Sequence, residues 1–235
     1  MKLFEKFKET IPSNTSLVKN ACGTIIDNNH KISLKEDISL IVQKMHDKVY
    51  EDYKSAEIDS WKRITTDEKG SADILDFDEL QNFFKSLGNS RKSRAGKVFE
   101  LIIEEIMSTR LGYPLVRGIK VDGARPDFVL PSKEFLQKYP LDSILLTAKR
   151  TLRERWRQVV TEANVAHGYY LATLDEDISA NQLIEAERNK VFVITTRDKI
   201  ERIKHYGDAS NMMSFEDFIK FHLDPVLDKW DHYVI

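Results

Sequence analysis

The chain has 235 residues, 41% of them hydrophobic and 31% charged, with a formal net charge of −2 at pH 7. That length holds one sizeable core, or a core with a small appended subdomain. The charge excludes a protein that coats nucleic acid through bulk basicity, no apolar run approaches the roughly 20 residues of a membrane span, and the lone Cys22 excludes a disulfide framework or a cysteine-based zinc site. The N-terminal MKLFEKFKETIPS lacks the apolar stretch of a secretion signal, so a cytoplasmic location is expected.

To about residue 90 the pattern is helical. Asp37 to Tyr53 places Ile38, Leu40, Ile41, Met45, Val49 and Tyr53 at mixed three- and four-residue spacing, a buried helix stripe. The polar TTDEKGSAD reads as a loop, and Asp76 to Leu87 as a second helix with acidic residues in its first turn. A third helix is expected over Ser93–Arg110, stopped by Gly112. Beyond it the apolar runs PLVRGIKV, PDFVL, SILLTAK, GYYLATL and VFVITT alternate with amphipathic segments. This predicts an α/β fold, a central mixed five-stranded sheet flanked by helices, in one domain over 1–235, with a helical portion over 1–90 and the core over 91–235.

Several motifs fail. Gly88, Gly96 and Lys97 have the wrong spacing for a phosphate-binding loop, and Val98 stands where Ser or Thr is needed. The acidic run Asp73–Glu79 lacks the glycine and distal glutamate of a calcium loop. The six histidines form no HExxH pair, and there is no GxSxG. The DED at 175–177 reads as a solvated turn.

One constellation carries chemistry. Arg125-Pro126-Asp127 opens one predicted strand, and the next, SILLTAK, ends at Lys149. Adjacent strands can bring Asp127 and Lys149 together at one end of a sheet. Phosphodiester hydrolysis needs a metal to neutralise the phosphate and acidify water, carboxylates to hold it, and often a lysine near the nucleophile. Mg²⁺ suits such a site, since it binds through one or two carboxylates and keeps several waters. The arrangement resembles the PD-(D/E)xK nucleases, except that Thr147 stands where an acid is usual. A helix starting near Thr151 would put Arg155 and Glu162 on nearly one face, with Glu162 able to turn back toward Lys149.

The run TAKRTLRERWRQVVTEA, Thr147 to Ala163, with the upstream SRKSRAGKVFE, resembles the EcoRII, PspGI and SsoII group of type II restriction endonucleases. The resemblance covers Ser90 to about Ala166 and implies the restriction-endonuclease-like fold, a displaced glutamate, and Mg²⁺-dependent double-strand DNA cleavage at a CC/GG-containing palindrome (CCNGG, CCWGG or CCGG). By position it implies Asp127, Lys149 and Glu162 as the catalytic core, with Asp127 and Glu162 on the metal and Glu100 as accessory acid. It also implies Gln81 as a base-edge reader. Members that cut CCNGG or CCWGG extrude the central nucleotides, which needs a stacking pocket. Trp61 or Tyr53 is the candidate, and each fits equally well as a core or interface residue.

The same run offers a way to read sequence. Arginine binds guanine O6 and N7 in two bonds, and glutamate accepts from cytosine N4. Arg153, Glu154 and Arg155 in one helical turn can therefore read a CC/GG half-site, and a palindromic target calls for a homodimer on double-stranded DNA. The bland alternative is a salt-bridged solvent helix, with Glu154 paired to Arg150 or Gln158. Arg91, Lys92, Arg94 and Lys97 form a second basic cluster, expected to include phosphate contacts, which position without specifying. No membrane and no small-molecule cofactor are expected. Two other functions stay open: a structure-specific or repair nuclease of this fold, and a DNA-binding module without turnover, which Thr147 keeps alive.

Overall fold

A computed structural model describes residues 3–29, 31–67, 77–118, 120, 125–152, 169–230 and 232. Helices α1 (Leu3–Glu9), α2 (Asn14–Cys22), α3 (Ile38–Asp67) and α4 (Phe77–Glu104) come first. Strands β1 (Val116–Arg117), β2 (Phe128–Leu130), β3 (Ile144–Ala148), β4 (Tyr169–Ala172), β5 (Val191–Thr195) and β6 (Met212–Ser214) follow. Shorter helices lie between them: α5 (Lys133–Lys138) after β2, α6 (Ala180–Arg188) after β4, and α7 (Arg197–Arg202) and α8 (Lys204–Gly207) after β5. The chain closes with helical turns over Phe215–Asp217, Phe218–Leu223 and Asp224–Trp230.

The strands form one mixed sheet in the order β1-β2-β3-β4-β5-β6, with β1, β2 and β3 antiparallel and β3 to β6 parallel. Six strands replace the five expected. The addition is β6, whose three residues are too few to show alternation and which exists by pairing with β5.

Both sheet faces are covered, and the period-two alternation of strands sorts the residues between them. Phe128, Leu130, Ile144, Leu146, Ala148, Tyr170 and Ala172 join the core that includes Ile41, Met45, Phe99, Ile102 and Ile103 of α3 and α4. Their neighbours Val129, Leu145, Tyr169, Leu171, Val191 and Val193 pack with Leu183 and Ala186 of α6 and with Tyr206. A third cluster ties α1 to α3 and α4 through Leu3, Phe7, Ile64, Phe83 and Leu87.

The helices differ from expectation in extent. Ile38, Ile41, Met45 and Val49 are buried as the stripe predicts, but Leu40 is 47% exposed and Tyr53 only half-buried. Rather than ending at Tyr53, α3 runs on to Asp67. The two helices expected over 76–87 and 93–110 are one, α4, which continues as a wider π-turn over Glu105–Arg110. Gly88 does not break it. A solvent-facing helical glycine costs only about 1 kcal/mol, whereas Phe83, Leu87, Val98, Phe99, Ile102 and Ile103 are all buried along the continuous helix. Gly112 does end it, at a left-handed φ of 77°. The start of α3 is tied to the C-terminal turns, where buried Glu216 accepts from the Ser39 N–H at 2.9 Å and from its hydroxyl at 2.6 Å. A carboxylate there also suits the positive end of the helix.

Candidate active site at the sheet end

Asp127 precedes β2, and the antiparallel register that sets Phe128 opposite Leu146 brings Asp127 opposite Thr147. Its Oδ2 receives three donors: the Thr147 hydroxyl at 2.8 Å, the Ala148 N–H at 2.8 Å and Lys149 Nζ at 2.7 Å. Oδ1 has no donor among the described residues and is the oxygen left for a ligand. Lys149 itself extends the parallel ladder, its N–H donating to the Ala172 carbonyl at 2.9 Å. The side chains of Lys149 and Asp127 are 15% and 17% exposed, so the pair lies in a partly desolvated recess where a charge-assisted bond is strong. The pairing expected from the sequence is present. Thr147, fully buried, does not leave a gap where an acid is usual; it donates a hydrogen bond to the acid on the next strand.

Glu100, on α4, lies one step removed. Its Oε2 is 3.1 Å from Lys97 Nζ and 3.5 Å from Arg117 Nη2, and the Arg117 guanidinium sits 5.3 Å over the ring of Phe128. Arg117 thus links Glu100 to the residue after Asp127; no direct bond joins Glu100 to Asp127 or Lys149 among the described residues. Glu162, Arg153, Glu154 and Arg155 lie outside the described residues. Among the described residues no cluster of three or more His, Cys, Asp or Glu could hold a metal. Asp127 supplies one hard-oxygen donor of the kind that Mg²⁺ takes.

The basic cluster on α4 is engaged within its own layer. Arg91 makes bonds of 2.5–3.1 Å to buried Glu57, which hold its pKa above the usual range. Arg94 donates to the Pro12 carbonyl at 3.0 Å and to Asn14 at 3.2 Å, and it lies 4.6 Å over the Tyr53 ring. Lys97 pairs with Glu100, while Lys92 and Gln81 stand exposed. Tyr53, its hydroxyl pushed up to about 12 by burial and by its bond to Glu57, lines a cavity of about 340 Å³ between α2, α3 and α4. Trp61 packs on Phe83 at 5.4 Å and lines a neighbouring cavity of about 430 Å³.

Two features at this end of the sheet were not foreseen. Asp175, expected in a solvated turn, is 5% exposed; its Oδ2 accepts from the Leu152 N–H at 2.6 Å and its Oδ1 from the Asp177 N–H at 3.1 Å. An Asp that caps its own turn can turn inward, because the turn supplies half its hydrogen bonds. Glu176, beside it, pairs with Lys199 at 3.4 Å and Arg202 at 2.9 Å, which draws its pKa below the usual carboxylate range. The second feature is His46 on α3, whose Nε2 accepts from Arg150 Nε at 2.9 Å. A lone histidine inside a helical stripe carries no sequence signal for such a partner 104 residues away.

Residues 58–219 match the family model described as EcoRII C terminal. The chain is 27% identical over 195 residues to the type II restriction enzyme EcoRII of Escherichia coli, covering 78% of this chain, and 30% identical over 195 residues to SsoII of Shigella sonnei, covering 71%. It spans 44% and 60% of the lengths of those two relatives. Among solved structures, metal-depleted Ecl18kI in complex with uncleaved, modified DNA aligns with a TM-score of 0.80 at 25% identity, over 98% of this chain and 84% of that one. A complex of the restriction endonuclease PspGI with substrate DNA shares the fold, with a TM-score of 0.72 at 21% identity over 97% of this chain and 96% of that one. Among the described residues no helix is long and apolar enough to cross a membrane.

Proposed function

This chain belongs to the EcoRII C-terminal family, and from that premise we propose that it is a type II restriction endonuclease. The proposed reaction is Mg²⁺-dependent, double-strand cleavage of DNA at a CC/GG-containing palindrome by a homodimer acting in the cytoplasm, with the whole chain serving as one nuclease domain. The observation that carries the proposal is the 2.7 Å contact between Asp127 and Lys149 across two neighbouring strands.

Within this reading each residue has a defined task. Asp127 would help hold the metal, its carboxylate fixed in orientation by Thr147, the Ala148 N–H and Lys149 on Oδ2. Glu162 is assigned as the second metal carboxylate and Glu100 as the accessory acid. A bound Mg²⁺ supplies charge neutralisation on the phosphate and a more acidic water. Lys149, bonded to Asp127, would stand beside the reacting phosphate. Arg153, Glu154 and Arg155 are assigned to the C·G pairs, with Gln81 at a base edge and Lys92 on a phosphate. Tyr53 is favoured over Trp61 as the wall of a pocket for an extruded base, since its cavity also takes in Arg150, one residue after Lys149.

Plasmid incubated with the chain and Mg²⁺ should give discrete fragments. A smear would mean a structure-specific nuclease, and uncut DNA with a gel shift would mean a binding module. Sequencing the fragment ends then reads the target and the central base directly.

A further inference from the structure

We infer that Arg150 is a phosphate-binding residue held in its working orientation by His46, which acts as a positioning residue; the inference rests on the nuclease reading above. Arg150 follows Lys149 directly and lines the 340 Å³ cavity together with Lys54, Lys92 and Arg94. Arginine anchored in a protein is most often tied to a carboxylate, which fixes its direction but cancels its charge. Here the anchor is neutral. Arginine can only donate, so the 2.9 Å bond from its Nε requires His46 Nε2 to be a bare acceptor, and the ring proton must sit on Nδ1. There it meets Asp47 Oδ1 at 3.1 Å.

The anchor is in turn braced. Gln43 Nε2 donates to both Asp47 oxygens at 3.0 and 3.1 Å, and Gln43 Oε1 accepts from Lys199 Nζ at 2.9 Å, a lysine of α7 that is 4% exposed. Among the described residues no acidic group pairs with Arg150. Arg150 lines a cavity whose wall also carries Lys54, Lys92 and Arg94, and a guanidinium tied down through Nε alone suits gripping a DNA phosphate in two bonds.

The anchor works only while His46 is uncharged. Burial is the largest influence on His46 and lowers its pKa; Asp47 on its own helix raises it, and Arg150 and Lys199 lower it again. Lys54, Glu57, Arg91, Lys92 and Arg94 share the cavity wall, with Glu57 occupied by Arg91. Protonated imidazole has no lone pair for the arginine and repels it, so acid should release Arg150.

The test is binding of a cognate duplex in Ca²⁺, across a salt series, at about pH 7.5 and again near pH 5.5. Arg150→Ala should bind roughly five- to tenfold more weakly and flatten the log–log salt slope by about 0.9, the signature of one lost phosphate contact. His46→Leu should weaken binding at pH 7.5, and near pH 5.5 the unsubstituted chain should fall toward the same level. His46→Gln, whose carbonyl can still accept from Arg150, should restore most of the affinity lost in the leucine variant and be insensitive to acid where the unsubstituted chain is not. An unchanged slope in Arg150→Ala overturns the inference. So does a glutamine variant that follows the unsubstituted chain down in acid. Failure of the unsubstituted chain to bind DNA at all would overturn the nuclease proposal, and this inference with it.

Discussion

Along α4, three of the four cations between residues 91 and 97 end on groups of their own helical layer: Arg91 on Glu57, Arg94 on Pro12, Asn14 and Tyr53, and Lys97 on Glu100. At the end of β3 the two cations are disposed differently. Lys149 meets Asp127, and Arg150 is tied to a neutral ring. The two stretches look alike as strings of basic residues, yet one mostly fastens helices and the other leaves charge facing a recess. What counts is the partner of each cation, which is set by packing and not by its neighbours in the chain.

The sharpest way to break this contrast is at the sheet end. Asp127→Ala should reduce cleavage to background while specific binding in Ca²⁺ survives, and retained cleavage would remove the site assignment. Next in size, Glu154→Gln should cost about 1–3 kcal/mol of discrimination at the C·G pairs, measured as relative cleavage of cognate and single-substituted duplexes. On α4 the effects should change in kind. Arg91→Ala takes the ion-pair partner from buried Glu57 and should lower stability by about 1–3 kcal/mol in denaturant unfolding, with little change in the salt slope of binding. Lys92→Ala should do the reverse, leaving stability intact and flattening the slope by about 0.9.

Acid offers the smallest probe. Burial lowers the pKa of both His46 and His222 from the ordinary 6.5. Below that value the unfolded chain takes up protons that the folded chain refuses, so the unfolded state gains. Their contribution to stability is therefore complete above pH 6.5 and is lost progressively as pH falls below it. Unfolding followed by far-ultraviolet circular dichroism from pH 7.5 to 5 should show that decline, and Lys92→Ala should leave it unaltered.

The sequence makes the Asp127–Lys149 pair legible because both residues sit at the ends of apolar runs, and strand pairing does the rest. Five of the six strands are visible for the same reason. β6 is not, since three residues gain their place only by lying against β5. The joining of two expected helices into α4 is hidden because Gly88 is a local signal that a long apolar stripe overrides. Asp175 and His46 escape for a further reason: a buried polar group is recognised by its partners, and Leu152 N–H and Arg150 are remote in sequence. Thr147 is legible only as a missing acid, whereas its hydroxyl has a task of its own.

The antiparallel pairing of β2 with β3 has a consequence for how the molecule is assembled. Only residues 131–143, with the short α5 among them, separate these two strands. Closing so short a loop costs little entropy and needs no other part of the sheet. Asp127 and Lys149, 22 residues apart, therefore meet early in folding, while the brace from Lys199 of α7 to Gln43, 156 residues apart, arrives by a closure of much longer range. During its synthesis the chain is thus due to acquire the core of its candidate site before it acquires the parts proposed to aim it.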